Sequence, residues 1–253
     1  MKLTSLVAVL CGLTLSMQSH ALGERTDYDL DNNGLIEIND LADLNEIRND
    51  LTGASLYGSS AGCPTTGCIG FELTTDLDFD TNGDGLMNAE DTYWNNGSGW
   101  VPLGSNSTPF SAVFEGHGYK VRNLYLNYST SRYRGLFGYL SNAQVTNIGL
   151  TGPLVYVRGY DHTGILAGLA INSQISGIHV SGRLVGARNS SNYFGGIVGY
   201  LDKSQLERSI ASVQVLSQAN SGGLVGYASN SQLTSVMATG SVVEINRYKG
   251  GIV

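Results

Sequence analysis

Charge, proline and cysteine are all scarce in this chain. Asp, Glu, Lys and Arg make up 14% of the 253 residues and hydrophobic residues 42%, a balance that excludes a disordered polymer. Four prolines against 34 glycines mean that the glycines are turn material rather than a spacer. The four histidines show no His-Glu-x-x-His spacing, so the common zinc-peptidase motif is excluded. Neither Gly-x-Ser-x-Gly nor a phosphate-binding glycine loop ahead of a helix occurs. No apolar run is long enough to cross a bilayer. A formal net charge of −7 argues against nucleic acid as a partner.

Export is read from residues 1–21. Lys2 supplies the positive start, Leu6 to Leu15 a short apolar run, and Ser19-His20-Ala21 a small-x-small cleavage site. Cys11 lacks the small residue that a lipoprotein signal places just ahead of its cysteine. Removal of the signal leaves Cys63 and Cys68, which pair in an oxidising compartment. Half of a metal site is the alternative, but it needs two more soft ligands nearby, and none is there. The location expected is secreted or cell-surface.

What the chain has in plenty is repetition. Gly135-Leu136-Phe137-Gly138-Tyr139 is echoed by Ile165-Leu166-Ala167-Gly168-Leu169, Gly196-Ile197-Val198-Gly199-Tyr200 and Gly223-Leu224-Val225-Gly226-Tyr227. Each is followed by a glutamine: Gln144, Gln174, Gln205 and Gln232, at steps of 30, 31 and 27 residues. An apolar residue follows each Gln, and Gly152, Gly182 and Gly240 close three of the four copies. Such a period means a solenoid, propeller or array. The alternating apolar residues inside it, Val145, Ile148, Leu150, Leu154 and Tyr156, suit pleated strands rather than a helix. The fold class predicted is therefore mainly β: a right-handed parallel β-helix, or β-solenoid, with a small N-terminal α and calcium-loop segment. One coil alone cannot form a core, so each hides its inward residues against its neighbours. Full burial of one Leu, Ile or Val contributes roughly 1.5–3 kcal/mol.

The Gly-Leu-x-Gly phrase, Gln232-Leu233-Thr234-Ser235-Val236-Met237-Ala238-Thr239-Gly240 and their spacing resemble the GLUG repeat. Upstream, Trp100-Val101-Pro102-Leu103-Gly104 and Phe110 to Leu124 resemble the segment that leads into such repeats. The resemblance spans about Phe71 to Val253. It implies a scaffold of the kind found in large secreted bacterial proteins, adhesin-like surface proteins and some immunoglobulin-cleaving metallopeptidases. The peptidase association does not carry over, because no metallopeptidase histidine motif is present.

Acidity is uneven. From residue 141 onward there are four acids, and the other seventeen precede it. Two stretches in that acidic part read as twelve-residue calcium loops. Asp29, Asp31, Asn33, Glu37 and Asp40 hold positions 1, 3, 5, 9 and 12 of the first, with Gly34 at the sharp turn. Asp80, Asn82, Asp84, Asn88 and Asp91 hold the same positions of the second, with Gly85 at its turn. Alternating Asp and Asn around one tight turn supply the hard oxygens that calcium requires. Aspartate at position 12 resembles the loops of dockerins and other extracellular modules. A frame starting at Asp78 is poorer, since it puts Ala89 at position 12. The plain alternative is two acidic turns that bind nothing. Leu41, Leu44, Ile47 and Leu51 form one helical stripe after the first loop.

Catalysis has no convincing constellation. Asp202 and Glu207 are the closest acids of the repeat region, His179 reads as an outward residue, His117 as part of a corner turn, and Asp161-His162 as a loop. Tyr139, Tyr200 and Tyr227, with Leu169 in the odd coil, recur at one repeat position. Stacked coils would place them about 4.8 Å apart. This is either a ladder for a sugar or partner surface or packing beside the core.

The domains expected are a signal at 1–21, a calcium-loop and helix segment with the disulfide at 22–70, solenoid entry strands with the second calcium loop at 71–134, and repeats at 135–253. Gly250-Gly251-Ile252-Val253 begins another phrase, so further coils of a longer chain are expected. The function expected is a calcium-stabilised structural or adhesive module with a carbohydrate or host-surface ligand. A polysaccharide-active β-helix enzyme, or the scaffold of a larger secreted peptidase, is the rival.

Overall fold

The structure, a computed structural model, describes residues 25–187, 192–218, 220–244 and 249–250. The expected signal and the terminal residues 251–253 lie outside them.

All the principal sheets are parallel. A seven-stranded sheet runs Leu35–Ile38, Gly70–Leu73, Val113–Glu115, Gln144–Thr146, Gln174–Ser176, Gln205–Glu207 and Gln232–Thr234. A four-stranded sheet stacks Phe137–Ser141, Ala167–Ile171, Val198–Asp202 and Val225–Ser229. A five-stranded sheet stacks Arg132–Arg134, Asp161–Gly164, Phe194–Gly195, Ser221–Gly222 and Lys249–Gly250. The remaining nine-stranded sheet takes the strands between the seven-stranded and five-stranded faces, among them Gly149–Thr151, Tyr156–Gly159, His179–Gly186 and Ile210–Ser217. The chain winds through these faces in turn, so the molecule is a parallel β-solenoid.

Register explains the core. Ile36, Phe71, Phe114, Val145, Ile175 and Leu206 lie opposite one another on successive rungs, each no more than 1% exposed. Val121, Leu150, Val180 and Ala211 form a second inward column. Alternate residues point outward, so Gln144, Gln174, Gln205 and Gln232 make an exposed ladder.

Corners between faces adopt left-handed backbone. Asn142, Asn172 and Asn230 have φ of 54°, 49° and 48° at one corner, and Asn147 and Gly177 have 53° and 68° at the next. Asparagine and glycine tolerate that region best, as the repeat phrase anticipated. The second Gly of each phrase answers a close approach instead. A Cβ on Gly168 would sit 2.5 Å from the Cα of Tyr133, and one on Gly199 would sit 2.7 Å from the carbonyl carbon of His162.

Three local expectations change. The first parallel pair joins Leu35–Ile38 to Gly70–Leu73, so the solenoid begins within the first calcium-loop frame rather than at residue 71. The reason is that Ile36 and Ile38 are fully buried inward residues of a strand. Secondly, the helix Leu41–Glu46 is short and passes into a 3-10 turn at Ile47–Asn49; Leu41, Leu44 and Ile47 are buried as the stripe requires. Thirdly, Asp161–Gly164 is a strand, not a loop, because it pairs with Arg132–Arg134 and Phe194–Gly195. Cys63 and Cys68 form the expected disulfide, with a Cα separation of 5.2 Å.

Candidate functional site

Two features gather chemistry. The first lies at the start of the seven-stranded sheet. Asp29 is fully buried, its Oδ1 accepting from the N–H of Asn33 at 3.0 Å and its Oδ2 from Gly34 at 2.8 Å. Asp31 Oδ1 accepts from Asn33 N–H at 3.1 Å, and Asn33 Oδ1 from Leu35 N–H at 2.7 Å. These bonds wind the loop around Gly34, whose φ is 86°. The loop then runs into the strand that carries Glu37.

Glu37 and Glu72 lie directly opposite on neighbouring strands and are only 4% and 5% exposed. Asp31, Glu37 and Glu72 each place a carboxylate oxygen within 4.8 Å of the other two. Like charges opposite one another on a sheet destabilise it. Burial pushes the Glu37 carboxyl above the usual range; the Leu30 N–H and Arg25 pull the other way, and Glu72 adds to the rise. Leu30 N–H donates to Glu37 at 2.6 Å and Arg25 approaches it at 3.2 Å. Glu72 accepts from Asn33 Nδ2 at 3.0 Å and lies 2.7 Å from His117 Nε2. Glu115 continues the column on the next rung.

Asp40 does not join this group. It caps the helix Leu41–Glu46, accepting from the Asp43 N–H at 2.8 Å. Glu72, which sequence reasoning missed, stands there instead. It is 35 residues beyond Glu37, and only strand register brings the two together.

The second loop is inserted between Leu77–Asp78 and Val113–Glu115. Asp80 accepts from the N–H groups of Gly83 and Gly85, both at 3.0 Å, Asn82 from Asp84 at 3.0 Å, and Asp84 from Leu86 at 2.8 Å. Asp91, 4% exposed, closes the loop by accepting from Thr81 and Asn88, both at 2.8 Å. Asn88 donates to Asp84 at 2.8 Å. Among the described residues, the trio Asp31, Glu37 and Glu72 is the one set of three carboxylates within 4.8 Å of each other, so Asp80, Asp84 and Asp91 converge less closely.

The second feature is an aromatic corner between the five- and four-stranded sheets. Tyr139, Leu169, Tyr200 and Tyr227 align in register, as the repeat predicted. Tyr200 and Tyr227 stack at 5.2 Å with 24° between their planes. Beside them runs a column that sequence reasoning missed: Tyr133, His162 and Tyr193. His162 lies 5.2 Å from Tyr133, 5.1 Å from Tyr193 and 5.5 Å from Tyr200, and Tyr193 lies 4.9 Å from Tyr227. Its signal was present, since each of the three is followed two residues later by a Gly: Gly135, Gly164 and Gly195.

All three have left-handed backbone, with φ of 57°, 46° and 49°. For an L-residue with a bulky side chain that costs roughly 1–2 kcal/mol each. Ring pairs return about 0.5–1.5 kcal/mol each. Burial raises the phenols of Tyr139 and Tyr200, with neighbouring tyrosines and Asp202 adding to the effect. Asp161, 1% exposed, faces His162 Nδ1 at 2.8 Å and Arg132 Nε at 3.3 Å.

His179 is exposed, as expected. Asp202 and Glu207 sit on different faces, in the four- and seven-stranded sheets. They therefore do not form the paired carboxylates that glycoside chemistry uses.

No protein-family model matches this chain. A protein named "Putative Gly-rich membrane protein" from Evansella cellulosilytica is 38% identical over 64 residues, 25% of this chain and 7% of its own length. "Halomucin" of Haloquadratum walsbyi is 29% identical over 182 residues, 70% of this chain and 2% of its own length. The chain thus spans a small fraction of the curated relatives it matches. A crystal structure described as that of "a putative immunoglobulin A1 protease from Bacteroides ovatus" aligns over 82% of this chain and 67% of that one, with a TM-score of 0.44 and 13% identity. Among the described residues, no helix is long and apolar enough to cross a membrane.

Proposed function

We propose that this chain is a GLUG-type solenoid module of an exported surface or secreted protein, adhesive and structural rather than catalytic, with calcium stabilising its first coils. The observation that carries the calcium reading is the burial of Glu37 and Glu72 in register beside Asp31. Three carboxylates this close stay ionised together more readily beside positive charge, of which Arg25 supplies part and a bound calcium would supply more. Asp29, Asp31, Asn33, Glu37 and Glu72 would hold the first ion, with Asp40 left to its cap. Asp80, Asn82, Asp84, Asn88 and Asp91 would hold the second.

The Cys63–Cys68 disulfide supports an oxidising location. The long relatives support a place within a larger extracellular protein that displays these coils. A surface ligand, carbohydrate included, fits a rigid stack of rungs with polar ladders outside.

At about 10 to 100 times the dissociation constant, calcium adds about 1.4–2.7 kcal/mol of stability. Calorimetric titration with calcium, followed by melting with and without chelator, tests the reading. No binding heat and identical midpoints would remove calcium from the account.

A further inference from the structure

We propose that the two-column aromatic corner binds a linear, neutral polysaccharide lying along the solenoid axis, about one sugar per rung. This rests on the reading of the chain as a binding module and names the surface and the ligand class.

The first ground is the residue choice. The neighbouring corner uses Asn142, Asn172, Lys203 and Asn230 in left-handed backbone, three of the four being Asn. The aromatic column puts Tyr133, His162 and Tyr193 in the same backbone region on three successive rungs. Backbone geometry would be better served by Asn, and strained positions of this kind cluster at ligand clamps.

The second ground is ring orientation. Tyr200 and Tyr227 cover each other's faces at 5.2 Å. Tyr133, Tyr139, His162, Tyr193 and Tyr200 are half-buried, and Tyr227 is 42% exposed. The half-buried tyrosines bring phenol groups that both donate and accept hydrogen bonds, as sugar hydroxyls do, while His162 turns its Nδ1 inward, 2.8 Å from Asp161 Oδ1.

The third ground is period. Rings in the left-handed column recur at 5.2 and 5.1 Å, near the rung spacing. An extended peptide presents side chains on one face only every ~6.6 Å, out of step with rungs at about 4.8 Å. A linear chain of pyranoses advances by close to one rung per sugar and stays in step.

Charge decides between neutral and anionic glycans. The tyrosine rings bring no fixed charge, and Asp202 lies close enough to raise the phenols of Tyr139 and Tyr200, a local negative field that disfavours a polyanion.

Affinity electrophoresis of the whole chain in native gels containing hydroxyethyl cellulose, glucomannan, alginate or polygalacturonate tests this. Retardation by a neutral polysaccharide is expected, with at least tenfold weaker binding for Tyr193→Asn and for Tyr133→Asn. These variants keep a residue that tolerates left-handed backbone, so their melting midpoints should stay within a few degrees of wild type. Wild type unretarded by either neutral glycan, retardation by the anionic glycans alone, or full retention of binding in both variants would overturn the proposal. Chelator-sensitive melting without retardation would sink this inference and leave the calcium-stabilised module standing. Retardation without any calcium effect would do the reverse.

Discussion

The main-chain N–H of Ser173 donates to the hydroxyl of Ser204, one coil away, at 2.9 Å. Ser204 N–H donates to Ser231 Oγ at 3.1 Å, and Ala143 N–H to Ser173 Oγ at 3.2 Å. Each hydroxyl in turn donates to a carbonyl two residues back in its own coil: Ile171, Asp202 and Ser229. The result is a buried serine ladder that links the rungs at the corner between the four- and seven-stranded sheets.

Ser204→Ala removes the acceptor for a buried N–H. The expected loss is about 1–3 kcal/mol, since the orphaned donor keeps its full desolvation cost. Urea denaturation of the two proteins checks it; an unchanged midpoint would show that water replaces the hydroxyl.

Gly199→Ala should be far more damaging than its size suggests. The new methyl would fall on the Thr163 N and within 2.7 Å of the His162 carbonyl carbon, both backbone atoms of the coil beside it. Nothing flexible can give way, so a loss of about 3 kcal/mol, the upper end for overpacking, is expected. Gly34→Ala, where an added Cβ meets nothing within 4 Å, is the comparison that isolates close packing from the φ of 86° alone. Thermal melts of both variants should rank Gly199→Ala as the less stable.

Glu72→Gln and Asp40→Ala separate the two roles in the first loop. Glu72→Gln should weaken calcium-linked stabilisation, because it takes a charge from the Asp31, Glu37 and Glu72 trio. Asp40→Ala should cost about 1 kcal/mol through the lost helix cap, with the calcium increment intact. Melting each variant with calcium and with chelator reads both effects. The reverse pattern would restore Asp40 as a ligand and dismiss Glu72.

Acid should expose a different carboxylate. Burial alone would raise Glu115, but hydrogen bonds from Thr146, the His117 N–H and Asn147, with the charge of His117, bring it below the usual value of 4.5. A carboxyl depressed on folding adds stability above its unfolded value, and that stability disappears as pH falls through its folded value. The gap in melting midpoint between wild type and Glu115→Gln should therefore be open at neutral pH and close as pH falls below 4.5 and through the lowered folded value. A gap that persists unchanged into acid would mean that Glu115 acts by shape rather than charge.

Much of this molecule was legible in one dimension. The 30-, 31- and 27-residue steps between Gln144, Gln174, Gln205 and Gln232 named equivalent positions, and every one of those positions proved to be in register. The Tyr139, Tyr200 and Tyr227 column followed from the same phase. The pairing of Cys63 with Cys68 needed only their nearness and an oxidising location. Where the repeat was absent, prediction was poorer. Residues 35–38 looked like the exit of a loop, because a four-residue strand has too few alternations to announce itself and its partner lies 35 positions on.

Alternation along each copy determined by itself which side chains face inward, because a pleated strand sends neighbours to opposite sides and water rejects the apolar set. Glycine and asparagine likewise marked the corners through their own backbone preferences. Only the closed coil decided that Glu72 would meet Glu37, that Ser204 would receive a proton bond from Ser173, and that Tyr133, His162 and Tyr193 would share a corner. Those meetings depend on the length of chain consumed per turn, a quantity summed over some thirty residues and written in no single stretch of them.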